Sequence, residues 1–500
     1  MGDPLFLAVD SGTTRMKAAL LDARGRKRAL VDCSLPVSHP FDGASEMDMP
    51  SVWAALCGLT RNLAERHPAL WPDLAGMAVS GQGDGLWPVD RAGEPVRPAI
   101  LWNDTRARRL DLPEGFEIEA FSRGNAVTPP FPGAVHLLLL WLRRNEPEGY
   151  QRIHCALHCK DWLAYRLTGE LATDYTDAST AVMNVLERRY VGELLERMGI
   201  PEALGRLPDP RPAGSPLGRI TPAASRQSGL PPGLPVLTGA LDVAAVAAGA
   251  GAVLPGDAVA IVGTTLGNAV VLGRDQVDHT DSRGSTLCHV HPERYLRLMA
   301  TSSGTGSLDW VRRLVAPDLA FTDLEPALAR IPLGCEGAMF HPYLHGERAP
   351  FRNPLACGGF NGLTERHTPM HLLRAAHEGL ALSFRDCQHY LPAATRMTIS
   401  GGGAASDLLC QMFADCLNRP VHRPGFSELG LAGTAQLVWR GLGYAGDLPL
   451  QEDTPPREFL PDPVRHERFE DLYALFLTFR AGVEPYWLDR ASMFPPCPGK

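Results

Sequence analysis

A chain of 500 residues, 45% hydrophobic and 21% charged with 50 glycines, is too long for one ordinary core and has the composition of a globular protein of several domains. Its net charge of −8 excludes the basic face that nucleic acid or an anionic membrane surface requires, so neither is expected as a partner. Eleven scattered cysteines, from Cys33 to Cys497, favour reduced thiols over a disulfide framework. The apolar run before Asp10 lacks the basic lead of a signal peptide, and residues 134–142 and 243–254 are too short or too rich in Gly and Ala to span a bilayer, so a cytoplasmic protein is expected.

Residues 5–9 are apolar and end at Asp10. Turn residues Ser11, Gly12 and Thr13 follow, then apolar runs at 16–21 and 29–33 separated by a second turn, which predicts an antiparallel three-stranded meander. Ser80-Gly81-Gln82-Gly83-Asp84-Gly85 reads as a strand end, with Leu101-Trp102-Asn103-Asp104 after it. Residues 134–144 predict a helix, apolar and then basic. His154-Cys155-Ala156-Leu157-His158-Cys159 reads as a further helix, with the histidines on one stripe and the cysteines on its neighbour. Those stripes do not converge on a closed tetrahedral site, so the expected role is structural. Residues 161–167 are amphipathic and stop at Gly169.

The Pro- and Gly-rich residues 207–235 read as loop, and the domain boundary is expected just beyond, dividing the chain into 1–253 and 254–500. A strand at 236–238 leads through Gly239-Ala240-Leu241-Asp242 into an Ala-rich helix. At 258–272 the N-terminal pattern returns, strand, Gly263-Thr264-Thr265 turn, strand, with Gly263 lying 251 residues after Gly12; such a repeat suggests a duplicated architecture. Residues 369–390 predict a helix with Thr368 as N-cap and Pro369 in its first turn, its apolar Leu372, Ala376, Leu380 and Phe384 recurring every four residues. Gly401-Gly402-Gly403 opens directly onto a helix at 406–417. Strands and helices mix throughout, so the class is α/β.

Several of these segments suit phosphate and hydroxyl chemistry. A tight Ser11-Gly12-Thr13-Thr14 turn exposes backbone N–H groups and hydroxyls to phosphate oxygens, with Lys17 nearby and Asp10 able to hold a hydrated Mg²⁺. Gly263-Thr264-Thr265 could clamp the same polyphosphate from the other side. Asp242, at a strand–helix junction, reads either as a general base or as a helix cap. Gln82 and Asp84 suit hydroxyl recognition, and of Trp87 and Trp102 at least one is expected in the core. The Gly401–Gly403 loop with Ala404 and Asp407 can lie flat against a ring or phosphate.

Taken in order, these motifs resemble the FGGY carbohydrate kinases of the actin/hexokinase/Hsp70 superfamily. The likeness extends through Glu46-Met47-Asp48, Lys160-Asp161-Trp162-Leu163, Thr173-Asp174, Asp177-Ala178-Ser179, Gly346-Glu347-Arg348-Ala349-Pro350 and Arg374-Ala375 with Glu378-Gly379. The resemblance implies two actin-like (ribonuclease H-like) domains with ATP, Mg²⁺ and a small sugar or polyol in the cleft between them. It implies Asp242 as catalytic base and Asp10 as Mg²⁺ holder through water. It assigns Gln82, Asp84, Trp102, Asp104 and Asp242 to the sugar, and Ser11, Gly12, Thr13, Thr14, Lys17, Gly263, Thr264 and Thr265 to the ATP phosphates. Gly401, Gly402, Gly403, Ala404 and Asp407 fall to adenosine. A homodimer is implied by analogy. His377 replaces the usual apolar residue of the signature. Gln82-Gly83-Asp84-Gly85 is closer to kinases of erythritol and L-xylulose than to those of D-xylulose or glycerol. An ATP-driven switch and a non-catalytic sugar sensor are the competing readings.

Overall fold

The computed structural model describes residues 3–281 and 283–494, so Cys497 lies outside the described residues. The predicted meander is present as β1 (Leu5–Ser11), β2 (Arg15–Asp22) and β3 (Lys27–Ser34), each antiparallel to the next. A fourth strand, β4 (Leu74–Gly81), runs parallel to β1. Two more, β5 (Pro216–Arg219) and β6 (Pro235–Leu237), complete a sheet of order β5-β6-β4-β1-β2-β3. The strands β7 (Asp257–Val262), β8 (Leu266–Gly273), β9 (Ser285–Cys288), β10 (Arg294–Ala300), β11 (Arg396–Ser400), β12 (Val421–Arg423) and β13 (Arg457–Phe459) form a second sheet, ordered β9-β10-β8-β7-β11-β12-β13. In both sheets a first strand pairs antiparallel with the second and parallel with a later one, then a further parallel strand and an antiparallel edge follow. The repeat read in the sequence is thus a repeat of topology.

Strand alternation with both faces covered explains why residues 5–9 of β1 are all apolar. Leu7 and Val9 face a core shared with the helices α1 (Met49–Arg66) and α2 (Cys159–Thr168), while Phe6 and Ala8 face the opposite side. That second side is covered by α3 (Asp242–Gly249) and by α6 (Leu429–Gly441), a helix from the far end of the chain. Two helices expected from the sequence are present: α4 (Pro369–His389), capped by Thr368, precedes β11, and α5 (Asp407–Leu417) lies between β11 and α6.

The α3–α6 crossing is glycine-dependent. A Cβ on Gly433 would stand 1.8 Å from the Ala245 carbonyl oxygen, and one on Gly249 would stand 1.9 Å from that of Leu429. Backbones therefore touch, and any side chain must push the helices apart. Gly433→Ala is expected to destabilise the protein by about 1–3 kcal/mol, seen as a lower urea midpoint. Helix propensity alone argues for a gain near 1 kcal/mol, so a variant as stable as the parent would refute this crossing.

Two expectations differ from the structure. Residues 207–235 hold regular structure: strand β5, a helix at Pro222–Ser228 capped by the Thr221 hydroxyl and ended by left-handed Gly229, and the start of β6. Pro216 sits on the edge strand and Pro222 in the helix's first turn, where a missing N–H costs nothing. The triple glycine does not open directly onto a helix either: a 3₁₀ turn, Gly402–Ala405, intervenes, and Ser406 caps α5.

Candidate active site

The ends of β1, β4, β6 and β7 converge on a cavity of about 260 Å³. Thr13, Gln82, Asp84, Trp102, Asp242, Gly263, Thr265 and Arg348 are among its walls. Gly12 donates its N–H to the Arg15 carbonyl at 3.0 Å, and Gly263 donates to the Thr265 carbonyl at 3.0 Å, closing the two hairpin turns.

One wall is a hydrogen-bonded chain. The Trp102 indole N–H donates to Thr13 Oγ1 at 3.0 Å, and Thr13 Oγ1 donates to Gln82 Oε1 at 3.0 Å. This fixes the Gln82 amide, whose Nε2 is buried without a partner. Trp87 is core, fully buried against Trp162 with ring centroids 5.8 Å apart. Asp84 holds a left-handed backbone with φ of 56°, unusual for a residue with a side chain. Its Oδ1 is likewise buried and unpartnered, and poor solvation pushes its carboxyl up to about 7.

Asp242 is the first residue of α3 and lines the cavity; Leu241 occupies the cap position, and the Val243 N–H donates to Asp242 Oδ1 at 2.6 Å. Desolvation and the negative charges of Asp10, Asp177 and Asp84 raise the Asp242 carboxyl to about 7. Asp10 is the next-to-last residue of β1 and lies beside α6, where a Cβ on Gly430 would stand 3.1 Å from Asp10 Oδ2. Its Oδ1 is buried with no partner, and burial raises its carboxyl to about 6 against the pull of Lys17. An orphaned carboxylate oxygen of this kind fits a hydrated Mg²⁺, which takes one or two carboxylates and keeps its waters.

Other expected site residues stand elsewhere. Asp104 does not line the cavity. Its carboxylate accepts from the Ser45 N–H at 2.7 Å and from Arg106 Nε and Nη2 at 2.9 and 2.8 Å, so it anchors Arg106. The Lys17 ammonium pairs with Glu428, its nearest oxygen at 2.7 Å. Asp407 pairs with Arg423 at 2.9 Å and with Arg457. Ser11 is buried, its hydroxyl 3.3 Å from Cys159 Sγ. Side chains on Gly401 and Gly403 would meet Val262, so these glycines let the loop close on the end of β7.

The helix expected at residues 154–159 is overturned. Cys155–Leu157 is a strand paired with Trp87–Val89, and His158 precedes α2, so the two histidine and cysteine stripes do not exist. His158 instead joins a buried ionic cluster. Its Nδ1 lies 3.5 Å from Asp161 and 3.4 Å from Asp177, and Lys160 Nζ lies 2.8 Å from Asp174 and 3.3 Å from Asp177. His158, Asp161 and Asp177 have metal-compatible spacing, but the Lys160 ammonium already contacts both carboxylates as their counter-charge. Asp177 Oδ1 also lies 3.4 Å from the Asp84 N–H, so the cluster backs the cavity wall.

Sequence reasoning assigned no role to Arg348, Asp177 or Glu428. Arg348 and Asp177 lay within motifs already quoted. Glu428 gave no signal, because its partner Lys17 is 411 residues away.

Comparison with known proteins agrees with this geometry. Residues 5–249 match the FGGY family of carbohydrate kinases, N-terminal domain, and residues 258–440 match its C-terminal domain. The chain is 30% identical to the xylulose kinase of Escherichia coli (strain K12) over 95% of this chain and 100% of that one. It is also 30% identical to the erythritol kinase of Brucella abortus (strain 2308), covering 98% of each chain. A crystal structure described as a xyloylose kinase from Brucella ovis superposes with a TM-score of 0.86 at 28% identity, over 96% of this chain and 100% of that one. Two α/β domains, each a mixed sheet flanked by helices, are the two-lobed actin/ribonuclease H-like fold of these enzymes. The chain belongs to the FGGY family of carbohydrate kinases, ATP-dependent enzymes that phosphorylate a hydroxyl of a small sugar or polyol.

Proposed function

We propose that Asp242 is the catalytic base of this kinase, and that the acceptor is a small linear sugar or polyol, a tetritol, pentitol or ketopentose. The observation that carries the reading is the position of Asp242: from the start of α3 it lines the cavity that Thr13 and Gly263 of the two turns also line, and its pKa is raised to about 7. A base tuned near neutrality accepts a hydroxyl proton as the oxygen attacks the γ-phosphorus. Ser11, Gly12, Thr13, Thr14 and Lys17 on one side, and Gly263, Thr264 and Thr265 on the other, hold the phosphates, and backbone N–H groups offset their charge. Bound Mg²⁺, held through water by Asp10, would neutralise phosphate charge. Gln82, Asp84 and Trp102 hold the sugar. Gly401, Gly402, Gly403 and Ala404 receive adenosine, and Asp407 steadies that end through its arginines. The chain divides functionally into 1–253 and 254–500, with α6 completing the first half.

Two measurements test this. ADP release with MgATP across tetritols, pentitols, ketopentoses and glycerol is expected to depend on one acceptor class. Silence on all of them with steady acceptor-free hydrolysis would instead favour an ATP-driven switch. The second is the pH profile. Because Asp242 is raised to about 7, log kcat/KM is expected to rise with unit slope below pH 7 and flatten above it. Stability moves the opposite way. The ionised carboxylates of Asp242 and Asp84 cost stability, a cost fully present above about pH 7 and lost as pH falls towards 3.8. An acid limb centred near pH 4 would rule out the raised base.

A further inference from the structure

The β1–β2 hairpin sets Asp10 directly opposite Lys17. Residues so placed have Cβ atoms about 5 Å apart, and opposite charges there pair with each other. Among the described residues no ion pair joins Asp10 and Lys17. The ammonium lies instead 2.9 and 2.7 Å from the two carboxylate oxygens of Glu428. Asp10 Oδ1 is left buried without a partner.

Glu428 comes from the far end of the chain. It holds the cap position of α6, yet its side chain makes no capping hydrogen bond, so the carboxylate is available to Lys17. Two residues on, Gly430 lies against Asp10 Oδ2 and brings no side chain to it. The start of α6 thus gives Lys17 a carboxylate and gives Asp10 no cation. Solvation favours this choice of partner. The Glu428 side chain stays 23% exposed and keeps part of its hydration. Burial is the strongest influence on the Asp10 carboxyl, ahead of the pull of Lys17 and the push of Glu428. An ion pair taken fully out of water repays its desolvation poorly. An ammonium has three N–H donors, so Lys17 can bond both Glu428 oxygens and still offer one to a phosphate.

We propose that Glu428 is a positioning residue for the metal: it draws Lys17 away from Asp10, so that the Asp10 carboxylate is kept for hydrated Mg²⁺ and is not closed by its own cross-strand neighbour. This rests on the reading of Asp10 as Mg²⁺ holder.

The test is a double-mutant cycle of Glu428→Gln and Lys17→Met. Mn²⁺ serves as the probe. Its binding to the enzyme–ADP complex is followed by loss of the free-ion paramagnetic resonance signal, after subtraction of the Mn²⁺–ADP complex. With Lys17 present, Glu428→Gln is expected to weaken Mn²⁺ binding about 10-fold or more, the worth of one charge-assisted contact. The Mg²⁺ concentration for half-maximal ADP release is expected to rise in parallel, with KM for the acceptor unchanged. In the Lys17→Met background, Glu428→Gln is expected to cost nothing further, because no ammonium remains to close Asp10. An equal loss in both backgrounds overturns the proposal, since Glu428 would then act as a plain negative charge or a prop for α6. Unchanged Mn²⁺ binding in Glu428→Gln overturns it as well. Should Glu428→Gln not fold, Glu428→Asp, with its shorter stem, is expected to show part of the same loss, again only where Lys17 is present. Asp10→Asn separates this proposal from the reading beneath it. If Asp10→Asn binds Mn²⁺ as the parent does, both fall. If Asp10→Asn loses Mn²⁺ and Glu428→Gln does not, Asp10 keeps its role and Glu428 loses the one assigned to it.

Discussion

Asp242→Asn is expected to lower kcat by about 10²- to 10⁴-fold, the range of a positioned general base, with ATP affinity nearly unchanged. The amide keeps the shape of the carboxylate and can still accept from the Val243 N–H, which donates to Oδ1 at 2.6 Å in the parent. It cannot take a proton from an attacking hydroxyl. A second consequence separates this from mere damage. Desolvation and the negative charges of Asp10, Asp177 and Asp84 raise the Asp242 carboxyl to about 7, so its ionised form is a burden on the fold at pH 8. Removing that charge is expected to leave thermal stability equal or higher while activity collapses. Single-turnover ADP formation, nucleotide titration and a melting curve at pH 8 check all three. An Asp242→Asn enzyme that retains near-normal turnover would remove Asp242 from the chemistry.

The largest expected loss of stability comes from Lys160→Met. Lys160 and His158 are the cations of a buried cluster that contains Asp161, Asp174 and Asp177, and the Lys160 side chain is 1% exposed. Taking the ammonium away leaves three carboxylates facing one imidazole in a poorly solvated interior. Breaking a buried pair from one side costs about 3–5 kcal/mol, a large part of the roughly 5–15 kcal/mol that keeps a domain folded. A lower urea midpoint is the readout, and Lys160→Met combined with Asp174→Asn is expected to recover part of it. His158 adds a pH signature. Burial opposes its charge, but Asp177 and Asp161 outweigh burial and raise it from 6.5 to about 9. The stability it contributes is therefore complete below pH 6.5 and disappears as pH rises through about 9. A Lys160→Met protein as stable as the parent would show that the cluster is not ionised as described.

These effects meet at one place. Asp177 touches Lys160 on one side and the Asp84 backbone on the other, so the ionic cluster holds the left-handed Asp84 turn in the cavity wall. Loss of the cluster is expected to weaken acceptor binding as well as the fold.

Local chemistry was legible in the sequence. The meander at residues 5–34, its return at 257–273, the helix from Pro369 and the Asp242 junction follow from hydrophobic period, turn residues and caps, which act between near neighbours. The ordered motifs then carried the family. Misreadings fell where long-range packing overrides local preference. Residues 155–157 form a strand because Trp87–Val89 offers it a partner, and the Pro-rich residues 207–235 fold because the first sheet has an edge to fill. Pairings between distant residues carry no local signal at all. Lys17 and Glu428 are 411 positions apart, and Gly249 and Gly433 meet backbone to backbone. Short-range propensity thus determined what each segment is, and only tertiary structure decided what each charged side chain faces, because a charge in the interior takes its partner from whatever the fold brings within a few ångströms.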